Sequence, residues 1–180
     1  CNQRKMSEYL RGRDPHCIVH CEDASRRAIK RLLDEFKDKT DAEIGDSLRC
    51  DYIDVESRMY PAPEEIQSLY FDRTVFNRPF FLCEYAHAMG MGPAGIEDYW
   101  DLFYKYPRAI GGCVWEWADH AVYYDGKLCY GGDFPNELTH DGNFCCDGMV
   151  FADRTVKPGS KEIAAAYAPM RARWENNGIL

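Results

Sequence analysis

Short apolar runs and helical stripes take turns along this chain. Residues 2–12, NQRKMSEYLRG, carry Met6, Tyr9 and Leu10 at helical spacing, which predicts the end of a helix. A Pro turn follows, and CIVHC reads as a short strand ending on Glu22. In DASRRAIKRLLDEFKDK, Ile29, Leu32, Leu33 and Phe36 form one stripe, with Asp23 or Ser25 as candidate cap, so an amphipathic helix is expected. CDYIDVES, residues 50–57, predicts another strand. PAPEEIQSLYFDR opens on prolines and carries Glu in its first turn, which suits a helix start. RPFFLCE reads as a strand. GPAGIEDYWDLFYKYP reads as a helix with Ile96, Tyr99, Trp100 and Phe103 on one face, and AIGGCVWEWAD as a further strand. A Gly- and Asp-rich region, 125–148, precedes a last helical stretch, KEIAAAYAPM.

Short strands alternating with longer helices mean βα units and a parallel sheet, doubly wound or closed into a barrel. No Gly-x-Gly-x-x-Gly follows a strand, and GPAGIEDY lacks the lysine of a phosphate loop. The strand ends separate the two architectures. Glu22 follows CIVHC, Arg58–Met59–Tyr60 follow DYIDVES, Glu84, Tyr85 and His87 follow PFFLC, and Trp115, Glu116, Trp117 and Asp119 follow GGCV. In a (β/α)8 TIM barrel the carboxyl ends of all strands share one face, and that face carries the chemistry. The expected fold is therefore a partial TIM barrel of the α/β class. Four strands are half of the required eight, and the 180 residues fall short of the roughly 250 of a full barrel.

Composition narrows the partners. With 46% hydrophobic residues the chain can build a core. A net charge of −8 argues against nucleic acid, which needs clustered Lys and Arg. No run of eighteen apolar residues could span a membrane. No signal peptide is visible, and a start at CNQRKM without Met suggests that the true N-terminus lies upstream. Nine cysteines, an odd number without framework spacing, point to reduced thiols and a cytoplasmic location. HCIVHC fits no common zinc spacing and is read as a packed strand.

LCEYAHAMGMG, YWDLFYKYPRAIGGCVWEWAD, YGGDF and NFCCDGMVFADRTVKP, in that order, resemble the β-galactosidases of glycoside hydrolase family 2. The resemblance runs from about residue 2 to residue 172. It implies a retaining glycosidase, with residues 1–155 forming strands five to eight of its catalytic barrel and residues 156–180 leading out toward the next domain. Glu84 matches the catalytic nucleophile. The end of a buried strand suits that role, because attack on an anomeric carbon needs a rigidly aimed carboxylate. Tyr60 matches the tyrosine that hydrogen-bonds the nucleophile, and a phenol there steadies its charge. His87 matches a substrate-binding histidine. Trp115 matches an aromatic platform, where an indole covers the apolar face of a sugar ring. Asp133 matches a carboxylate near the sugar subsite, or only caps a Gly-rich turn. Phe144 and Asp147 match a sodium site, through a main-chain carbonyl and a side-chain oxygen; some members have Asn in place of Asp147. Met91 stands where Asn is frequent.

The resemblance also says what is missing. The acid/base glutamate lies just upstream of residue 1, and the other magnesium ligands lie further upstream. Mg2+ and Na+ are expected in a full-length parent, with neither binding tightly to this piece. The expected partners are a β-galactoside, the remaining half of the barrel and further copies of the chain. The expected function is that of a retaining β-galactosidase fragment, inactive alone. The alternatives are a non-catalytic half-barrel serving binding or assembly, and a family 2 relative acting on another β-glycoside.

Overall fold

The computed structural model describes residues 2–172, 174, 175, 178 and 179; Cys1 lies outside them. The chain divides into two compact units, Cys1–Tyr85 with Asp101–Val114, and Ala86–Trp100 with Trp115–Leu180.

The first unit opens with helices α1 (Asn2–Arg13), α2 (Glu22–Glu35) and the single turn α3 (Asp41–Ile44). Strand β1 (Glu56–Met59), helix α4 (Pro63–Ile66) with a π turn at Gln67–Phe71, and strand β2 (Phe80–Tyr85) follow. Helix α5 (Ile96–Lys105) is divided between the two residue sets, and β3 (Ala109–Val114) completes the first. The sheet order is β1-β2-β3, both pairings are parallel, and β2 is central. Parallel neighbours require crossover connections, and here those carry helices. Phe80, Leu82 and Tyr85 of β2 are buried. The Phe80 ring meets Tyr70 at 4.5 Å, and Tyr85 meets Phe103 edge-on at 6.1 Å. Gly112 sets how closely β3 approaches β2. A Cβ there would lie 2.7 Å from Leu82 Cβ and 2.9 Å from its carbonyl oxygen, so any side chain would push the strands apart.

Three expectations need correcting. The strand expected at 17–21 is reduced to one parallel bridge, His20–Val55, and the next strand begins at Glu56, well beyond residue 50. Asp54 supplies the reason. Its carboxylate accepts the Val19 N–H at 2.9 Å and Arg11 at 2.7 Å, while its own N–H donates to the Val19 carbonyl at 2.7 Å. A side chain thus takes the place of the next ladder bond. Helix α2 starts at Glu22 with Cys21 as its N-cap, so Asp23 and Ser25 lie inside it. Asp23 pairs with Arg26 and Arg27, and Ser25 Oγ donates to Glu56. The buried stripe of α2 is Ala24, Ala28, Ile29 and Leu32, with Leu33 exposed and Phe36 past the helix end. On α1 the apolar positions Met6, Tyr9 and Leu10 are exposed, and Ser7 is the buried residue. Polar contacts hold α1: Ser7 Oγ donates to the Tyr52 carbonyl at 2.8 Å, and Arg11 pairs with Asp54.

The second unit contains an antiparallel hairpin, β4 (Val122–Tyr124) and β5 (Lys127–Cys129), closed by Asp125–Gly126 with both φ positive. Residues 116–119 run alongside 147–150 through four backbone hydrogen bonds: Glu116 N–H to Asp147, Met149 to Glu116, Val150 to Trp117 and Asp119 to Val150. Helix α6 (Ser160–Ala166) follows, and Glu162 accepts the Ile96 N–H at 3.4 Å. A short antiparallel pair, β6 (Trp174–Glu175) and β7 (Gly178–Ile179), lies near the end. Among the described residues no helix is long and apolar enough to cross a membrane.

Glu56, the first residue of β1, is buried, with Ser25 Oγ donating to it at 2.9 Å and the Arg78 guanidinium 3.6 Å away as an ion-pair partner. Burial pushes its carboxyl above the usual range, against the opposing effects of Ser25 and Arg78. A raised folded value means that the fold binds the proton more tightly than the unfolded chain does. This contribution is fully present below the ordinary glutamate value and is lost as pH rises through the folded one. Glu56→Gln removes that loss. Urea midpoints at pH 4 and pH 7 are expected to shift in favour of Glu56→Gln, relative to the unsubstituted protein, as pH rises.

Candidate active site

In the first unit Glu84 is the penultimate residue of the central strand and is half-buried. The β1–β2 register slips between Arg58 and Met59, which brings Met59 opposite Glu84. The irregularity re-aims the end of β1. Tyr60 follows with φ 51°, a left-handed conformation uncommon for a bulky side chain. Its N–H donates to the Glu84 carbonyl at 3.0 Å, which holds the turn in place. Backbone outliers of this kind cluster at functional sites. The structure therefore brings Tyr60 and Glu84 together at the carboxyl ends of β1 and β2.

In the second unit Asp147 is the centre of a polar group. It is buried, and its Oδ2 accepts the Trp115 indole N–H at 2.8 Å. His87 Nε2 lies 3.8 Å from the same oxygen. The Trp115 carbonyl accepts the Ala88 N–H at 2.8 Å, which ties the segment bearing His87 to Trp115. Asp147 Oδ1 is buried and accepts no hydrogen bond among the described residues. The adjoining Glu116 carboxyl is pushed up, first by burial and then by its neighbour Asp147, while His120 at 2.9 Å opposes the shift. His87, Trp115 and Asp147 thus form one cluster.

Asp133 is engaged elsewhere. Its carboxylate closes a turn by accepting the Tyr130 N–H at 3.0 Å and meets His140 at 2.9 Å, and these contacts hold it below its ordinary range. Phe144 is exposed. A hollow of about 430 Å3 in the second unit is lined by Met91, Tyr130, Cys146 and Phe151, among others. None of the site residues expected from sequence lines it. Among the described residues no group of three or more His, Cys, Asp or Glu is placed to hold a metal ion. The eight cysteines within the described residues are thiols.

Residues 1–172 match the family model described as glycosyl hydrolases family 2, TIM barrel domain. The chain belongs to that family. A β-galactosidase of Staphylococcus xylosus is 48% identical over 123 residues, which is 66% of this chain and 12% of the relative. One from Actinobacillus pleuropneumoniae is 44% identical over 129 residues, 71% of this chain and 12% of the relative. One from Clostridium acetobutylicum is 33% identical over 180 residues, 97% of this chain and 18% of the relative. The chain thus spans less than a fifth of the length of these relatives. The mixed α/β structure and three-stranded parallel sheet accord with a TIM-barrel family, although three paired strands are present in place of the four expected.

Glu116, Asp119 and Lys157 gather around Asp147 and its loop, yet nothing in the sequence marks them as a group. Asp119 and Lys157 lie 38 positions apart, and neither spacing nor periodicity joins them. The hairpin at 122–129 did carry a signal, Asp-Gly between two apolar triplets.

The indole N–H donates to the buried Asp147 Oδ2 at 2.8 Å. Trp115→Phe keeps the ring but leaves a buried carboxylate oxygen without that donor. Unfolding in denaturant is expected to show a loss of about 1–3 kcal/mol.

Proposed function

We propose that this chain is part of the catalytic barrel of a retaining β-galactosidase, with Glu84 as its nucleophile. The observation that carries the reading is the place of Glu84 in a chain of this family. It is the carboxylate at the carboxyl end of the central parallel strand, and the Tyr60 N–H donates to the main-chain carbonyl of the same residue. A strand paired on both sides can aim a carboxylate rigidly. Residues 1–155 supply strands five to eight, of which β1, β2 and β3 are the last three, and residues 156–180 lead out of the barrel.

In the mechanism Glu84 attacks the anomeric carbon and forms a galactosyl-enzyme intermediate, which water then hydrolyses. Tyr60 steadies the carboxylate. Trp115 covers the apolar face of the galactose ring, and His87 binds its hydroxyls. Asp133 lies near the sugar subsite; its commitment to a turn and to His140 makes its part an indirect one. The acid that protonates the leaving oxygen belongs to the upstream part of the parent, as do the magnesium ligands. Sodium suits Asp147, whose buried Oδ1 accepts no hydrogen bond among the described residues, together with the Phe144 main-chain carbonyl. A cation there would neutralise charge next to Glu116. The nine cysteines, an odd number without framework spacing, suit a cytoplasmic setting.

The test uses a dinitrophenyl β-galactoside, whose leaving group needs little acid assistance. In the full-length parent, Glu84→Gln is expected to abolish turnover with the fold intact by circular dichroism. Turnover near the unsubstituted rate would mean that Glu84 is not the nucleophile. The isolated chain is expected not to hydrolyse ordinary β-galactosides, because it lacks both acid catalysis, typically about 10²–10⁴-fold, and much of the positioning.

The chain is also expected to associate with itself. β1 and β3 flank the sheet, and β3 exposes Ile110; unpaired strand edges and apolar surface favour association. Sedimentation at micromolar concentration is expected to show dimers or larger species, and a stable, folded monomer would contradict this.

A further inference from the structure

Asp119 and Lys157 are both more than nine-tenths buried, at 8% and 6% exposure, in a chain whose other lysines lie outside the core. Taking two charges out of water costs several kcal/mol each unless good geometry and further hydrogen bonds compensate. Here the geometry is close, with Lys157 Nζ 2.5 Å from Asp119 Oδ1. The further bonds all go to one short loop. The same Asp119 oxygen accepts the Gly148 N–H at 2.9 Å, and Lys157 Nζ donates to the Cys146 carbonyl at 3.2 Å. The ion pair therefore grips the backbone on the residue before Asp147 and on the residue after it.

Asp119, Cys146 and Lys157 line the hollow of about 430 Å3 on one side, and on the other the loop packs closely. A Cβ on Gly148 would lie 2.2 Å from the Ala118 carbonyl carbon and from the Asp119 nitrogen, so residue 148 rests directly on the 118–119 backbone. The Asp147 carbonyl accepts the Glu116 N–H at 2.9 Å. Lys157 N–H donates to the Met149 carbonyl at 3.3 Å, and Ser160 Oγ donates to that carbonyl as well. With its backbone fixed on both sides, residue 147 has a fixed point from which its carboxylate reaches out. The carboxylate meets the Trp115 indole at 2.8 Å.

We propose that Asp119 and Lys157 are a positioning pair for the sugar site, clamping the loop around Asp147 so that its carboxylate fixes the plane of the Trp115 indole. The sugar-binding part rests on the reading of Trp115 as the galactose platform. Asp119 and Lys157 are positioning residues. They act through Asp147, and a platform free to tilt would lose stacking with the ring it covers.

The test is made on the full-length parent with Lys157→Met and Asp119→Asn, the latter keeping shape and an acceptor for Gly148. Amide hydrogen exchange of the peptide covering 145–150 is expected to speed up by about tenfold or more in both variants, the scale of losing one charge-assisted hydrogen bond. The dissociation constant of isopropyl thio-β-galactoside, which is not hydrolysed, is expected to rise about tenfold. In a Trp115→Ala background the same substitutions are expected to add nothing to that constant, because the platform is already gone. Unchanged exchange at 145–150 overturns the clamp. Faster exchange with unchanged affinity, or an effect of equal size in the Trp115→Ala background, overturns its role in the sugar site. If Lys157→Met gives no folded protein, Asp119→Asn decides by the same criteria. A folded, unsubstituted parent that neither binds the thiogalactoside nor hydrolyses galactosides overturns the galactosidase reading instead, and the exchange measurement still decides the clamp.

Discussion

The central place of β2 governs what the first unit can do. β2 is hydrogen-bonded along both edges, to β1 and to β3, and its side chains Phe80, Leu82 and Tyr85 are buried. A strand held on both sides and packed from below has little freedom at its end, so the half-buried carboxylate of Glu84 is presented from a rigid base. The neighbours are shaped to permit this. Gly112 lets β3 lie against Leu82, and the register slip in β1 delivers Tyr60 to the Glu84 carbonyl. Remove the central pairing and the end of the strand becomes a loop.

The second unit uses different physics. It has few regular elements, and polar contacts take over much of the organisation. Asp147 receives the Trp115 indole on its side chain and the Glu116 N–H on its carbonyl. The buried Asp119–Lys157 pair binds the loop on either side of it. Such networks are stable only when their members are satisfied, because an unpaired buried charge is costly in a medium of low dielectric. Asp147 Oδ1 accepts no hydrogen bond among the described residues, although the cluster engages the rest of Asp147 through its other oxygen and its carbonyl.

Where hydrophobic period and packing agreed, the elements were legible. RPFFLCE became β2, AIGGCV became β3, and the DYW–LFY stripe became α5. Where a side chain could substitute for a backbone partner, they were not. Asp54 occupies the Val19 N–H, so CIVHC, apolar enough for a strand, has a single bridge. Met6, Tyr9 and Leu10 have helical spacing and do lie on a helix, yet they face outward, because the contacts that hold α1 run through Ser7 and Arg11. Periodicity reports that a helix forms; it does not report which face finds a partner.

Motif order and strand-end chemistry placed Glu84, Tyr60, His87 and Trp115 in a family and at the ends of strands, because those signals are local: a few residues whose order and spacing survive in one dimension. Asp119 stood among the strand-end groups and Lys157 within NFCCDGMVFADRTVKP, but nothing in one dimension joined them as a pair. Their meaning depends on a hydrogen bond across 38 positions and on a glycine pressed against the 118–119 backbone. The sequence by itself determined the family and marked which segments carry a helical period or an apolar run fit for a strand. The tertiary structure decided which of those strands paired, which helix faces were buried and which charges met, since each of these is set by distance in space rather than by separation along the chain.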